Sequence, residues 1–174
     1  MKQTRTKIRI MTYGALVAAL YVALTYLAAF LGLSGGVIQI RFSEALTVLP
    51  AIVPAMFAPG TVIGLFIGCI LANALTGALI WDILFGSLAT LLGAIGTWLL
   101  RRVPRIGTAL AWLPPTVANT LIVPFVLQMA YGVQDAIWFL MLTVCIGELL
   151  SCGVLGMLLI RFAGPKLRTL QEKR

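Results

Sequence analysis

The scarcity of charge between Arg9 and Arg101 limits the fold of this chain more than any other feature. Within that interval the only charged side chains are Arg41, Glu44 and Asp82. Over all 174 residues, 10% are charged and 61% are hydrophobic, whereas soluble domains carry about 25% charged residues. This composition predicts an integral membrane protein.

The chain length limits how often the protein crosses the membrane. An α-helix needs about 20 mostly apolar residues to cross about 30 Å of hydrocarbon. We therefore predict an all-α bundle of six transmembrane helices, with residues 1–174 forming one domain and no separate soluble part. The predicted spans are Ile8–Leu31, Glu44–Ala58, Thr61–Gly77, Asp82–Leu100, Gly107–Tyr131 and Asp135–Phe162.

The basic residues predict how this bundle is oriented. The net charge is +8, and most of it falls in three clusters: Lys2, Arg5, Lys7 and Arg9; Arg101, Arg102 and Arg105; Arg161, Lys166, Arg168, Lys173 and Arg174. Basic clusters beside spans are typical of the cytoplasmic side, and this placement argues against nucleic-acid binding. Six spans put all three clusters on one side and leave only Arg41 on the other. Both termini are therefore predicted to be cytoplasmic.

Missing motifs argue against several kinds of chemistry. The chain has no GxxxxGK[ST] phosphate-binding loop and no histidine, which excludes the common ATPase loop and His-based triads. Cys145, Glu148 and Cys152 share one helical face, but no further metal ligands are evident. We expect neither an enzyme nor a bound metal or cofactor.

Six polar residues are the candidate binding site. Arg41, Glu44, Asn73 and Asp82 are predicted near the outer face, whereas Asn119 and Glu148 are predicted nearer the middle of the membrane. Polar side chains at such depth normally face the bundle interior or a wet cavity. They either bind a ligand or bond one another, as Asn119 with Glu148 and Arg41 with Glu44. Asp82 also suits the N-terminus of the fourth helix.

A stripe of small residues marks the first predicted helix. Ala15, Ala19 and Ala23 recur at every fourth position and so share one face. Small residues let helix backbones approach closely within lipid. The spacing allows two interpretations: packing inside the bundle, or a docking face for another membrane subunit.

Five stretches of the chain resemble the QueT family of proposed queuosine-precursor transporters. They cover nearly the whole chain in order: IQIRFSEALTVLP (Ile38–Pro50), GLFIGCILAN (Gly64–Asn73), WDILFGSLATLLGA (Trp81–Ala94), PPTVANTLIV (Pro114–Val123) and IGELLSC (Ile146–Cys152). Members are substrate-binding S components of energy-coupling factor (ECF) transporters, in which a transmembrane coupling subunit and two ATPases energise uptake. The alanine stripe is also similar to the motif by which S components contact the coupling subunit.

The resemblance implies a multi-pass protein of a prokaryotic plasma membrane that captures a 7-deazaguanine, such as the aminomethyl compound, from outside. Chemistry and position then suggest that Asn119 and Glu148 bind the edge of the heterocycle. Glu44 would meet the cationic amine near the entrance, and Arg41 would hold Glu44 or help to close the site. Three alternatives remain: an S component for another vitamin or a pyrimidine-like nutrient, a stand-alone small-solute transporter, and a structural membrane protein without a small ligand.

Overall fold

The computed structural model describes residues 2–34, 38–103 and 106–172, and within these ranges every regular element is helical. In chain order the elements are α1 (Lys2–Phe30), a 3₁₀ segment (Phe42–Val48), α2 (Leu49–Ile52), α3 (Ala58–Leu75), α4 (Ile80–Leu100), α5 (Ile106–Ala109), α6 (Leu113–Tyr131), α7 (Ile137–Glu148), a π segment (Leu149–Leu155) and α8 (Gly156–Glu172).

Five helices in the described ranges are long and apolar enough to cross a membrane. They are α1, α3, α4, α6 and the continuous helix formed by α7, the π segment and α8. The expectation of an all-α membrane bundle is therefore confirmed. Three predicted segments differ in their bounds: the first helix begins at Lys2 and not at Ile8, the fifth segment is divided into α5 and α6, and the last helix continues beyond Phe162.

The second predicted span, Glu44–Ala58, is not a long helix. Its helical part runs only from Phe42 to Ile52. Val53 is extended, with φ −70° and ψ 153°, as expected for a residue that precedes a proline, here Pro54. The 3₁₀ segment nevertheless gains length, because it rises about 2.0 Å per residue against about 1.5 Å in an α-helix. The 11 residues from Phe42 to Ile52 therefore extend about 20 Å.

Helices α1 and α3 pack with their backbones in close contact through small residues. A Cβ atom added to Gly14 would lie 2.6 Å from the carbonyl oxygen of Gly60, and one added to Gly60 would lie 2.5 Å from that of Ile10. One at Gly68 would lie 3.0 Å from the Cα of Ala18. The Gly60/Gly64/Gly68 ladder thus places α3 directly against α1, as small residues do in membranes.

The contacts also give the directions of the helices. Gly14, near the middle of α1, meets Gly60 at the start of α3, and near the ends of both helices the Tyr26 hydroxyl donates to the carbonyl of Leu75 at 2.8 Å. The two helices are therefore parallel. The chain between them must return across the bundle, and the segment from Ile38 to Phe57 makes this return.

The two ends of the bundle differ in charge. One, which we call the basic end, carries the starts of α1 and α3 and the end of α4, where the Arg101 guanidinium donates to the carbonyl of Pro50 at 3.3 Å. The other, the loop end, carries the connections that follow α1, α3 and α6. In the described ranges the basic end holds these side chains: Arg5, Lys7, Arg9, Arg101, Arg102, Arg161 and Lys166. Arg105, Lys173 and Arg174 lie outside the described residues.

Candidate functional site

A polar pocket of about 600 Å³ opens at the loop end of the bundle. Polar side chains from several segments line it, and we call four of them the rim: Arg41, Asn73, Asp82 and Tyr131. Apolar side chains of α6, including Val123 and Leu127, complete the wall. The pocket therefore combines a flat apolar surface with both signs of charge, as sites for small polar ligands do.

Asp82 joins three parts of the rim. Its Oδ2 accepts a hydrogen bond from the Tyr131 hydroxyl at 3.0 Å and lies 3.9 Å from Nη2 of Arg41. Asp82 does lie in the first turn of α4, but that helix begins at Ile80 and its N-cap residue has no side-chain cap bond. The carboxylate thus faces the pocket and the cation of Arg41. Arg41 therefore forms its ion pair with Asp82. The sequence had suggested Glu44 as the partner of Arg41, if the polar residues bond one another and not a ligand.

A second polar layer lies one helical turn further from the loop end. Tyr21, Cys69 and Asn119 each precede a pocket-lining residue by four positions on the same helix, which places them directly beneath the pocket. Glu44 and Glu148 complete this deep layer. Its members lie close together across the bundle, because the Tyr21 hydroxyl donates to Glu44 and Asn119 lies beside the same carboxyl group without a hydrogen bond of normal length and angle.

Glu44 and Asn119 each present an atom without a hydrogen-bond partner among the described residues. The Tyr21 hydroxyl donates to Oε1 of Glu44, but Oε2 of Glu44 and Nδ2 of Asn119 are buried and unbonded. Both residues are nearly inaccessible, with 2% and 4% of their surface exposed. Buried polar groups are normally paired, because an unpaired one costs about 1–3 kcal/mol. An acceptor and a donor are therefore free in the deep layer.

Glu148 contacts a thiol and forms no salt bridge with a described residue. It ends the 12-residue helix α7, about 17 Å from its start. The Cys152 thiol, within hydrogen-bond reach of three oxygens, lies 3.1 Å from Oε2 of Glu148, 3.3 Å from the carbonyl of Glu44 and 3.4 Å from the Thr47 hydroxyl. Ligand atoms of Glu44, Glu148 and Cys152 approach within 4.8 Å, and Cys145, which shares a helical face with Glu148 and Cys152 in the sequence, is not in this group.

Two irregular helices position these groups. The 3₁₀ segment carries Glu44, the π segment carries Ser151 and Cys152, and the two pack against each other. The backbone N–H of Arg41 donates to the Ser151 hydroxyl at 3.2 Å. A Cβ atom added to Gly156 would meet Val48 at 2.8 Å, so the segments are in close contact on this side too. Helices with irregular hydrogen bonding often occur at functional sites.

The alanine stripe lies on the outer surface of the bundle. Ala15, Ala19 and Ala23 are exposed, whereas Tyr21 and Thr25 on the other face of α1 are buried. Packing of the stripe inside the bundle is therefore excluded. A groove of about 450 Å³ runs between α1 and α3, and Ala15 and Ala19 line it.

Sequence reasoning missed several residues that complete the site. The Tyr21 hydroxyl donates to Glu44, and the Tyr131 hydroxyl donates to Asp82. The Ser151 hydroxyl accepts a hydrogen bond from the backbone N–H of Arg41. The signal for Tyr21 was present in the sequence, because Tyr21 and Thr25 are polar, four residues apart and opposite the alanine stripe. Tyr131 and Ser151 gave no such signal, since a tyrosine at a helix end and a serine within a helix are ordinary in membrane proteins.

A match to a known protein family includes all the residues of this site. A model of the family described as QueT transporter matches residues 11–164. No curated protein and no solved structure matches the chain. The matched range contains the rim, the deep layer and the alanine stripe, and it points to a transporter and not to an enzyme. The chain belongs to the QueT transporter family.

Proposed function

We propose that this protein is the S component of an ECF-type importer and that its pocket captures a 7-deazaguanine, such as 7-aminomethyl-7-deazaguanine, from outside the cell. The observation that carries the proposal is the free acceptor–donor pair beneath the pocket, Oε2 of Glu44 and Nδ2 of Asn119. The edge of a guanine-like ring offers N–H donors beside a carbonyl acceptor, which is the complementary arrangement. Ligand binding would then satisfy two groups that the protein leaves unpaired.

For the amine of the ligand we propose a partner that differs from the one expected from the sequence. Glu44 is in the deep layer beside Asn119, so it suits the heterocycle edge. Asp82 lines the pocket and is the carboxylate within reach of a group that points toward the loop end. We therefore assign the cationic amine to Asp82, as a charge-assisted hydrogen bond. Glu148, next to Glu44 and Asn119, supports the deep layer.

Transport would require partner subunits. The groove beside Ala15 and Ala19 is the proposed docking face for the transmembrane coupling subunit, and two ATPases would supply the energy. We further propose six crossings with both termini in the cytoplasm of a prokaryotic cell. The return of the chain between the parallel helices α1 and α3 and the charge of the basic end support this topology.

The test is direct binding. Small molecules that copurify with the full chain are identified by mass spectrometry, and affinities for the aminomethyl compound and its uncharged cyano analogue are measured by calorimetry. Glu44→Gln should weaken both compounds roughly 10- to 150-fold, because one charge-assisted bond is worth about 1.5–3 kcal/mol. Asp135→Asn, at an exposed carboxylate, is the matched control and should bind as the parent does.

The outcomes separate the alternatives. A copurified vitamin or pyrimidine, with no affinity for either deazaguanine, would contradict the proposed substrate but keep the binding role. Uptake by the chain expressed without coupling subunit or ATPases would favour a stand-alone transporter. A parent protein that binds none of these compounds would refute the proposal.

A further inference from the structure

Arg41 and Asp82 form the charged pair that a ligand in this pocket would meet. Three carboxyl groups, those of Glu44, Asp82 and Glu148, lie near one guanidinium, that of Arg41, in the described part of the chain. If both deep carboxyl groups are protonated, Arg41 and Asp82 neutralise each other, and any proton lost from the deep layer adds a negative charge. A cationic ligand that enters the pocket must therefore share the carboxylates with Arg41, since buried charge is costly unless it is paired.

Arg41 is held firmly by its backbone and loosely by its side chain. Its N–H is bonded to Ser151, and its extended backbone, with φ −111° and ψ 108°, begins the 3₁₀ segment. The nearest approach of the guanidinium to Asp82 is 3.9 Å, which is too long for a hydrogen bond. The same cation also interacts with Glu44 and Tyr21 of the deep layer. Its side chain thus lies between the rim and the deep layer.

We propose that Arg41 determines the charge specificity of the pocket. It acts as an internal cation, and a cationic ligand must share the site with it. In the ligand-free protein Arg41 offsets the carboxylates of both layers. When a ligand binds, its amine pairs with Asp82, and the guanidinium moves from Asp82 toward Glu44. The inference rests on the proposed function and adds that repulsion by Arg41 limits the preference for a cationic over a neutral ligand.

The consequence has a definite sign. Arg41→Gln keeps a hydrogen-bonding side chain and removes the charge, so the aminomethyl compound should gain affinity relative to the cyano analogue. We expect the ratio of the two dissociation constants to shift about tenfold or more in favour of the amine, since a like charge within about 4–6 Å has effects of this size. If Arg41 instead only supports the fold or binds the ring, both affinities fall together.

The experiment measures this ratio by calorimetry on the purified full chain, in the parent and in three variants. Arg41→Gln should raise the preference for the amine, and Arg41→Lys, which keeps the charge, should restore the parent ratio. Asp82→Asn should lower the preference at least tenfold, because the amine loses its partner. Thermal unfolding of each ligand-free variant identifies those that are folded.

Each outcome of this experiment either supports or overturns the inference. A folded Arg41→Gln variant with the parent ratio overturns the inference while leaving the proposed function intact. If Arg41→Gln does not fold, Asp82→Asn decides, and an unchanged ratio there is equally contrary. A parent that binds neither compound overturns the proposed function and this inference with it, and that result is recognised from the parent alone.

Discussion

Replacing Asn119 by leucine should make the ligand-free protein more stable while it weakens ligand binding. Asn119 is 4% exposed, and its Nδ2 has no hydrogen-bond partner among the described residues. Leucine has a similar shape without polar atoms, so the substitution removes the unpaired donor at little cost in packing. Asn73 is the matched control, because it is equally buried at 3% but its Nδ2 contacts Sγ of Cys69 at 3.6 Å and the carbonyl of Asp82 at 3.4 Å.

The magnitudes follow from these contacts. An unpaired buried donor costs about 1–3 kcal/mol in proteins, but polar contacts within membranes average only about 0.6 kcal/mol. We therefore expect Asn119→Leu to gain about 1 kcal/mol and Asn73→Leu to lose a similar amount. For a chain of this size 1 kcal/mol corresponds to about 2–4 °C in the unfolding midpoint. Binding should weaken roughly 5- to 150-fold in Asn119→Leu, since the ligand carbonyl then lacks its donor.

The assay is thermal unfolding of the detergent-solubilised full chain with and without the aminomethyl compound. Asn119→Leu should unfold at a higher temperature than the parent without ligand, and the increase in midpoint on adding ligand should shrink. Asn73→Leu should unfold at a lower temperature. Equal destabilisation by the two substitutions, with ligand binding unchanged in Asn119→Leu, would refute the argument and make Asn119 a structural residue.

Two further predictions concern the partner subunit and the topology. Ala19→Trp fills the groove between α1 and α3 and should abolish copurification with the coupling subunit while ligand affinity is retained. Leu16→Trp, at an exposed position outside the groove, is the control. Loss of ligand binding in Ala19→Trp would contradict the docking role. In intact cells an impermeant thiol reagent should label Gln134→Cys at the loop end and spare Arg102→Cys at the basic end; equal labelling would exclude the proposed orientation.

The bundle could be predicted from the sequence because its long helices follow from local properties. Apolar runs of sufficient length between turn residues give α3 and α4 within a few residues of their predicted bounds, and they give the end of α6 at Tyr131. The ladder beginning at Gly60 likewise predicted close packing, since small residues permit it whatever the partner helix is. The short helical part that begins at Phe42 was less predictable. Hydropathy does not distinguish an α-helix from a 3₁₀ segment, whose different hydrogen bonding depends on tertiary packing.

Part of the polar composition of the candidate site could be read from the sequence, but the pairing of its side chains could not. Polar residues that interrupt apolar helices must face the interior, which selects Glu44, Asn119 and Glu148 from the sequence alone. Spacing of three residues suggested that Arg41 pairs with Glu44. Arg41 instead precedes the 3₁₀ segment in an extended conformation, so the two side chains do not share a helical face. The partner that Glu44 binds, Tyr21, lies 23 residues away, and only the three-dimensional packing brings it there.

The division between regular and irregular helices bears on how the protein would respond to a ligand. Helices α3 and α4 have regular hydrogen bonding and pack along their length, whereas Glu44 and Cys152 belong to the 3₁₀ and π segments. In such segments a shift of register exchanges one set of backbone bonds for another and does not require separation of the long helices. A ligand that bonds Glu44 would act directly on the contact between the two segments, where the Cys152 thiol meets the Glu44 carbonyl. A change of this kind at Glu44 and Cys152 would therefore leave the packing of α3 against α4 in place.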